Sequence, residues 1–354
     1  MAPSDPELIA IRPDEQFDLS RLEPWLRDHL PETDGPLEVE QFGGGHANLT
    51  YLLRFGTREY VLRRPPLGPV APGSHDMGRE HRVLAHLGDA FPLAPRSYVL
   101  CRDPEVLGVD FHVLERRHGQ VIRQRMPQAF GDDQTLNRRI GEMLVDVLGK
   151  LHGVDPAAGR LGDLGRPDGF LARQMAGWTR RWEAALNEEV ADVQRMLDWL
   201  GSQVPEPQRT TLVHNDFKLD NVLVSWDDPA TPVAVLDWDM TTRGDPLADL
   251  GFLLSFWTEA KDPPHWQAAA RMPTEQPGFP SRVDVIERYG ERTDLDVSRA
   301  DWYHVFGVLK LLVIVQQIYI RFVRGQTQDQ RFAGYGRRVR DLARKGVDLI
   351  DSAT

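Results

Sequence analysis

Apolar positions recur at helical spacing through residues 14–30, where Phe17, Leu22, Trp25, Leu26 and Leu30 would share a face, and Pro31-Glu32-Thr33-Asp34-Gly35-Pro36 ends the run. The period then shortens. Runs at Leu37–Phe42, Leu49–Arg54 and Tyr60–Arg63 flank the cluster Gly43-Gly44-Gly45, the pattern of an antiparallel meander. Helical spacing returns at Met77–Leu87, and two further strands are expected at Arg96–Cys101 and Val109–Glu115. After Gly119 the pattern predicts helices at Arg138–His152, Phe170–Leu186 and Val190–Leu200, with Leu171, Met175, Trp178 and Trp182 as core positions of the second. A strand–loop–strand pair at 211–239 interrupts them, and helices resume at Leu247–Thr258, Val283–Tyr289 and Trp302–Phe322. Residues 260–280, with Pro263, Pro264, Pro273, Pro277 and Pro280, read as a loop insertion or lid. No internal repeat or low-complexity tract interrupts this order.

With 354 residues, 41% of them hydrophobic and 27% charged, the chain can bury a large core and divides most simply into two lobes. A net charge of −11 argues against a nucleic-acid partner. The sole cysteine, Cys101, excludes an intrachain disulfide framework and a multi-cysteine zinc site and fits a reducing cytoplasm. Met1–Pro13 carries Asp5 and Glu7 and has no apolar stretch, so no secretory signal is expected. Lys310, Gln316 and Gln317 break the run Leu309–Ile320, which falls short of the roughly 20 apolar residues of a membrane span and predicts a buried helix rather than a membrane partner.

The candidate chemistry sits in the strand–loop–strand pair. Leu212-Val213-His214-Asn215-Asp216-Phe217-Lys218-Leu219-Asp220-Asn221-Val222-Leu223-Val224 and Ala234-Val235-Leu236-Asp237-Trp238-Asp239 are two apolar runs that each deliver carboxylate or amide side chains to a loop. Oxygen ligands of this kind suit Mg²⁺ held against a nucleotide phosphate. Asp216 and Asn221 are five positions apart, and Asp237 follows sixteen residues later (237 − 221), with Asp227-Asp228-Pro229 as a turn that would return the second strand beside the first. Asn221 and Asp237 could then ligate Mg²⁺, with Asp216 free to accept a hydrogen bond from a substrate hydroxyl.

The segment His214 to Asn221 resembles the His-x-Asp-x-x-x-x-Asn loop of the aminoglycoside phosphotransferase family, relatives of the protein kinases, and Asp237 resembles their metal-binding aspartate. The resemblance covers roughly residues 37 to 258. It implies an α+β, bilobal, protein-kinase-like fold: a helical extension over 1–36, a small lobe of antiparallel sheet plus helix over 37–115, and a larger helical lobe over 116–354 holding a catalytic loop at 212–224 and a metal segment at 234–251. It also implies ATP and Mg²⁺ as cofactors, a small-molecule hydroxyl as acceptor and transfer of the γ-phosphoryl group, with Asp216 as the base and Asn221 and Asp237 on the metal. Gly43, Gly44, Gly45, His46 and Asn48 would belong to the hairpin over the nucleotide, where missing side chains let backbone N–H groups approach phosphates. Arg63 stands where the family has a phosphate-binding lysine, with Arg64 as an alternative assignment, and Glu80 stands where the paired helix glutamate belongs. Leu114, Glu115 and Arg116 match the hinge whose backbone reads adenine.

Arg243-Gly244-Asp245-Pro246-Leu247-Ala248-Asp249-Leu250 matches the family's Gly-Asp-Pro segment, with Asp245 as a helix cap and Asp249 as a brace for the catalytic loop. His214 is expected to pack beneath that loop, and Asp239 could support the metal, meet the substrate or cap a turn. The branch with the kinase-like domain fused to some acyl-CoA dehydrogenases is the nearest in pattern. Arginines between 321 and 344 form a solvated face or, if they border the acceptor, favour an anionic one. A protein kinase is disfavoured because no Asp-Phe-Gly or Ala-Pro-Glu segment follows Asp237. A catalytically weak nucleotide-binding protein on the same fold, and a glycosyltransferase using Asp237-Trp238-Asp239, remain as alternatives.

Overall fold

A computed structural model describes residues 7–44, 48–68, 75–130, 133–157, 160–267 and 271–353. The chain forms two compact units: residues 1–118 with 234–241, and residues 119–233 with 242–354.

The first unit is built on a six-stranded sheet in the order β1-β2-β3-β4-β6-β5, formed by β1 (Leu8–Ile9), β2 (Leu37–Phe42), β3 (Leu49–Phe55), β4 (Arg58–Arg64), β5 (Ser97–Cys101) and β6 (Phe111–Glu115). Every pairing is antiparallel. β1 had no counterpart in the sequence pattern, because two residues carry no period; it pairs Leu8 with Phe42 and Ile9 with Gln41. One face carries the core. Helix α1 (Leu19–His29), started by the Asp18 side chain accepting from the Ser20 N–H at 2.8 Å, buries Leu22 and Leu26 against Tyr51, Leu53, Leu62, Phe111 and Val113. Helix α2 (Met77–Leu87), capped by Asp76, packs on β5 and β6 and buries Glu80 among Val83, Leu84 and Leu87. A short helix α3 (Pro104–Leu107) links β5 to β6.

The alternation of side chains along β4 decides which arginine meets Glu80. Arg63 and Arg64 are neighbours on a strand and must point to opposite faces. Arg63 is the one that reaches Glu80, while Arg64 is buried on the other face with its guanidinium over the Phe17 ring.

The second unit is mainly helical: α4 (Gln134–His152), α5 (Phe170–Ala185), α6 (Ala191–Ser202), α7 (Leu247–Phe256), α8 (Pro264–Gln267), α9 (Arg282–Thr293), α10 (Ala300–Val323) and α11 (Tyr335–Ala353). Between the helices run β7 (Gln120–Val121), β8 (Thr211–Val213), β9 (Val222–Val224), the start of β10 (Pro232–Val235) and β11 (Thr242–Gly244). The expected turn is present: the Asp228 carbonyl accepts from the Thr231 N–H, and the Ser225 N–H donates to the Thr231 carbonyl. The second run accordingly lies beside the end of the first, in a three-stranded sheet of order β10-β9-β7. β8 pairs with β11, Thr211 opposite Gly244 and Val213 opposite Thr242, and β9 pairs with β7. A period-two pattern gives strand existence but not partner.

Helix α10 is 24 residues long and apolar enough to cross a membrane by length and composition, and 67% of its most apolar window is buried. It crosses α7 at two glycines. A Cβ on Gly251 would lie 2.0 Å from the Tyr303 carbonyl oxygen, and one on Gly307 would lie 2.1 Å from the Gly251 carbonyl oxygen. Hydrogen at both positions therefore sets the close approach of the two helices, and Asp249 and Lys310 lie within a turn of that crossing. The proline-rich stretch 260–280 is tied down by side-chain bonds: Trp257 Nε1 donates to the Pro280 carbonyl at 3.0 Å, Trp266 Nε1 to Asp348 at 3.0 Å, and Arg282 forms a fork on Asp262 at 2.7 and 2.6 Å.

Candidate active site

The loop after β8 is held from below by buried groups. Asp249, fully buried on α7, accepts from the His214 N–H at 2.6 Å through one oxygen and from the Asn215 N–H at 2.7 Å through the other. The first oxygen also lies 3.2 Å from His152 Nε2. Burial opposes ionisation of Asp249, but the hydrogen bond from His152 and the charge of Lys310 outweigh it, and the carboxyl stays below its usual range. Asn215 takes the left-handed conformation, φ +67°, which turns its carbonyl toward Lys310 Nζ, its hydrogen-bond donor. Lys310 is the polar residue that broke the apolar run. Burial pulls its ammonium down to about 8, partly offset by Asp249 and Asp216, and it sits 3.9 Å from the Phe252 ring centroid. One residue, Asn215, is thus clamped by a carboxylate on its N–H and an ammonium on its C=O, supplied by the two helices that cross at Gly251 and Gly307.

His214 is fully buried under the loop, its ring edge-on to Phe217 at 6.1 Å, and its Nδ1 accepts from the Asp216 N–H at 3.2 Å. The proton of the neutral ring therefore lies on Nε2. The Asp216 carboxylate is a fifth exposed, at 21%, and both of its side-chain hydrogen bonds fall on one oxygen: Lys218 Nζ donates at 2.6 Å and Asn221 Nδ2 at 2.9 Å. Asn221 Nδ2 also donates to the Asp216 carbonyl at 2.8 Å. Since both partners are acceptors, the amide NH₂ must face them, and Asn221 Oδ1 is the atom left to serve as a ligand. Asp220 follows at 3.8 Å from Lys218, its carboxyl raised by burial and then lowered in part by Lys218.

In the first unit Arg63 is the centre of charge. Its Nη1 lies 2.8 Å from Glu80 Oε1 and its Nη2 donates to Asp237 Oδ1 at 2.7 Å. The guanidinium is 12% exposed and Glu80 is fully buried. Burial works against both charges, yet each holds the other ionised: the carboxyl lies below its normal value and the guanidinium above its own. Asp237 is a left-handed residue, φ +69°, followed by the buried Trp238, whose Nε1 donates to the Val235 carbonyl at 2.7 Å and whose ring meets Phe91 edge-on at 5.8 Å. That anchor fixes the segment on either side of the indole. Asp239 accepts from Asn48 Nδ2 at 3.4 Å, and Asn48 Oδ1 lies 2.7 Å from His75 Nδ1. Burial, then the charges of Asp237 and Glu80, push the Asp239 carboxyl up to about 7.

Of the glycine cluster, Gly43 donates its N–H to the Glu7 carbonyl at 2.8 Å and Gly44 is exposed in the turn; Gly45 and His46 lie outside the described residues. At the end of β6, Leu114 is buried opposite Val61, the Glu115 N–H is bonded to the Arg96 carbonyl at 2.8 Å, and Arg116 lies over the Phe42 ring. Sequence reading assigned no role to Lys310 or Lys218. The signal for the first was an ammonium inside an apolar helix, and for the second its place two residues after Asp216.

Comparison with known proteins bears on the family and the fold. The model of the phosphotransferase enzyme family matches residues 38–279. Mouse acyl-CoA dehydrogenase family member 11 is 30% identical over 352 residues, covering 97% of this chain and 44% of the mouse protein. Mouse acyl-CoA dehydrogenase family member 10 is 29% identical over 330 residues, covering 93% and 31%. The chain thus spans less than half the length of these curated relatives. A Ralstonia eutropha crystal structure named "putative aminoglycoside phosphotransferase" superposes with a TM-score of 0.80 at 30% identity, covering 96% of this chain and 100% of the other. The fold is also that of aminoglycoside phosphotransferase APH(4)-Ia in a ternary complex with ADP and hygromycin B, with a TM-score of 0.57 at 18% identity over 92% and 98%. By its sequence and its fold, the chain belongs to the phosphotransferase enzyme family.

Proposed function

We propose that this chain is a small-molecule kinase that transfers the γ-phosphoryl group of ATP to a hydroxyl. The observation that carries the reading is the Asp216 loop: a partly exposed carboxylate with its two hydrogen bonds on one oxygen, on a backbone clamped by Asp249 and Lys310. In phosphoryl transfer there is little covalent chemistry for the protein to do, so catalysis is positioning and charge stabilisation. Asp216 would orient the acceptor hydroxyl and take its proton as the oxygen attacks. Lys218, 2.6 Å from that carboxylate, holds it in place and adds positive charge where phosphate charge gathers. Arg63, fixed by Glu80, would bind nucleotide phosphate oxygens.

The donor set fits Mg²⁺. Asn221 Oδ1 is an oxygen ligand left over by the two bonds of its amide NH₂, and three carboxylates, Glu80, Asp237 and Asp239, are gathered around the one guanidinium of Arg63. Among the described residues no group of three or more His, Cys, Asp or Glu could hold a metal ion by itself, so an ion here would need phosphate and water oxygens as further ligands. Asn221 and Asp237 are the residues that would hold the ion, which when bound neutralises phosphate charge.

The relatives named as acyl-CoA dehydrogenase family members favour a hydroxylated acyl metabolite over an aminoglycoside as acceptor. ADP formation measured with purified protein across hydroxy acids, hydroxyacyl thioesters and aminoglycosides tests both halves of the proposal. Acceptor-dependent ADP release with a hydroxyacyl compound supports it; release only with aminoglycosides overturns the acceptor class, and none with any alcohol overturns the activity.

A further inference from the structure

Behind Glu80 the first unit holds three polar side chains, His112, Ser97 and His81, that the phosphotransfer reading leaves unused. Glu80 Oε2 lies 3.1 Å from His112 Nε2, His112 Nδ1 lies 3.2 Å from Ser97 Oγ, and Ser97 Oγ lies 2.8 Å from His81 Nδ1. Glu80 and His112 are fully buried and Ser97 is 4% exposed. An ionised carboxylate only accepts, so His112 Nε2 must carry a proton. In the neutral ring Nδ1 is then an acceptor, the Ser97 O–H donates to it, and the Ser97 oxygen is left to accept from His81 Nδ1–H. Burial pulls His81 down to about 4, so it enters the chain neutral. Each bond donates in the direction of Glu80.

The backbone is arranged for this contact. In β5, Cys101 faces Phe111, Leu100 faces His112 and Val99 faces Val113, but a bulge between Ser97 and Val99 sets Ser97 opposite Leu114. Had the register at Val99 continued unbroken, Ser97 would fall opposite Glu115, on the face away from His112. The bulge turns its hydroxyl to the side where His112 and α2 lie.

We propose that His112, with its tautomer set by Ser97, is the positioning residue that orients Glu80 and through it presents Arg63 to the nucleotide phosphates. A lysine at this place would be a point charge and would tolerate a carboxylate that swings. The planar fork of Arg63 divides its two nitrogens between Glu80 and Asp237, so the angle of the Glu80 carboxylate sets the angle of the fork. Glu80 Oε1 meets Arg63 as an ion pair without an aligned hydrogen bond, and the aligned bond that fixes Glu80 comes from His112.

This inference rests on the phosphotransfer reading, and calorimetric binding of Mg–ATP and of adenosine separates the two. Wild-type protein that binds no ATP would remove that reading and this inference with it. With the wild type binding, His112→Asn, whose amide is too short to reach Glu80, should lower ATP affinity about tenfold or more and leave adenosine affinity unchanged. His112→Gln, which can place a donor near the Nε2 position, should restore most of the ATP affinity. Equal loss for ATP and adenosine, or no loss for either, overturns the positioning role. If His112→Asn does not fold, Ser97→Ala carries the test: a selective drop for ATP supports the relay, and an unchanged ratio of the two affinities overturns it.

Discussion

Replacing Asp249 by asparagine keeps the shape of the side chain and removes the charge that holds the catalytic loop. The carboxylate gives one oxygen to the His214 N–H at 2.6 Å and the other to the Asn215 N–H at 2.7 Å. An amide has a single acceptor oxygen, so one of these N–H groups would face an NH₂ donor and lose its partner in a fully buried place. A hydrogen bond to a charged group contributes about 1.5–3 kcal/mol net, and stranding a buried donor costs about 1–3 kcal/mol more. The variant should therefore lose about 3–5 kcal/mol locally, the range found when one partner of a buried charge pair is removed. Native-state hydrogen exchange reads this directly, because each 1.4 kcal/mol is a tenfold change in opening. The amides of His214 and Asn215 should exchange about a hundredfold faster or more in Asp249→Asn, with the sheet of the first unit unchanged. Exchange within threefold of wild type would refute the clamp.

Other outcomes follow from single contacts. Arg63→Met leaves the fully buried Glu80 without its counter-ion and should cost about 3–5 kcal/mol in thermal unfolding, with Arg63→Lys costing clearly less; an Arg63→Met protein as stable as wild type would contradict the ion pair. Lys345, fully buried with Nζ 2.9 Å from the Ser255 carbonyl, is pulled from 10.5 to about 7 by burial and then by Arg282. Between those values the unfolded chain holds a proton that the folded one does not, so wild-type stability should rise from pH 7 to pH 9 relative to Lys345→Met; parallel pH profiles of urea midpoints would contradict it. Gly307→Ala would place a methyl 2.1 Å from the Gly251 carbonyl oxygen and should cost at least the usual 1–3 kcal/mol of overpacking, roughly, in denaturant unfolding; a neutral result would contradict the helix crossing.

Local chemistry was legible where a residue type can serve few purposes. Asp216, Asn221, Asp237 and Asp249 stand out because carboxylates and an amide at the ends of apolar runs have no packing role, and α2 begins and ends where its pattern does. The supporting contacts were not legible, because they join distant stretches of chain. Lys310 acts on Asn215 across 95 positions, and no local period records that. The pairing of β8 with β11, and the added strand β1, depend on tertiary competition that a two-residue or three-residue pattern does not encode. Ser97 is a further case: its alternation with Val99 suggests one face, and the bulge gives it the other.

Phosphoryl transfer by an Asp216→Asn variant, set beside its affinity for Mg–ATP, tests the central claim most directly. The amide that replaces the carboxylate can no longer accept the hydroxyl proton as a base, while nothing on Arg63, Glu80 or Asp237 changes. The account predicts nucleotide affinity within about threefold of wild type and transfer to the acceptor slower by about 10²–10⁴-fold. Undiminished turnover on the same acceptor would contradict it.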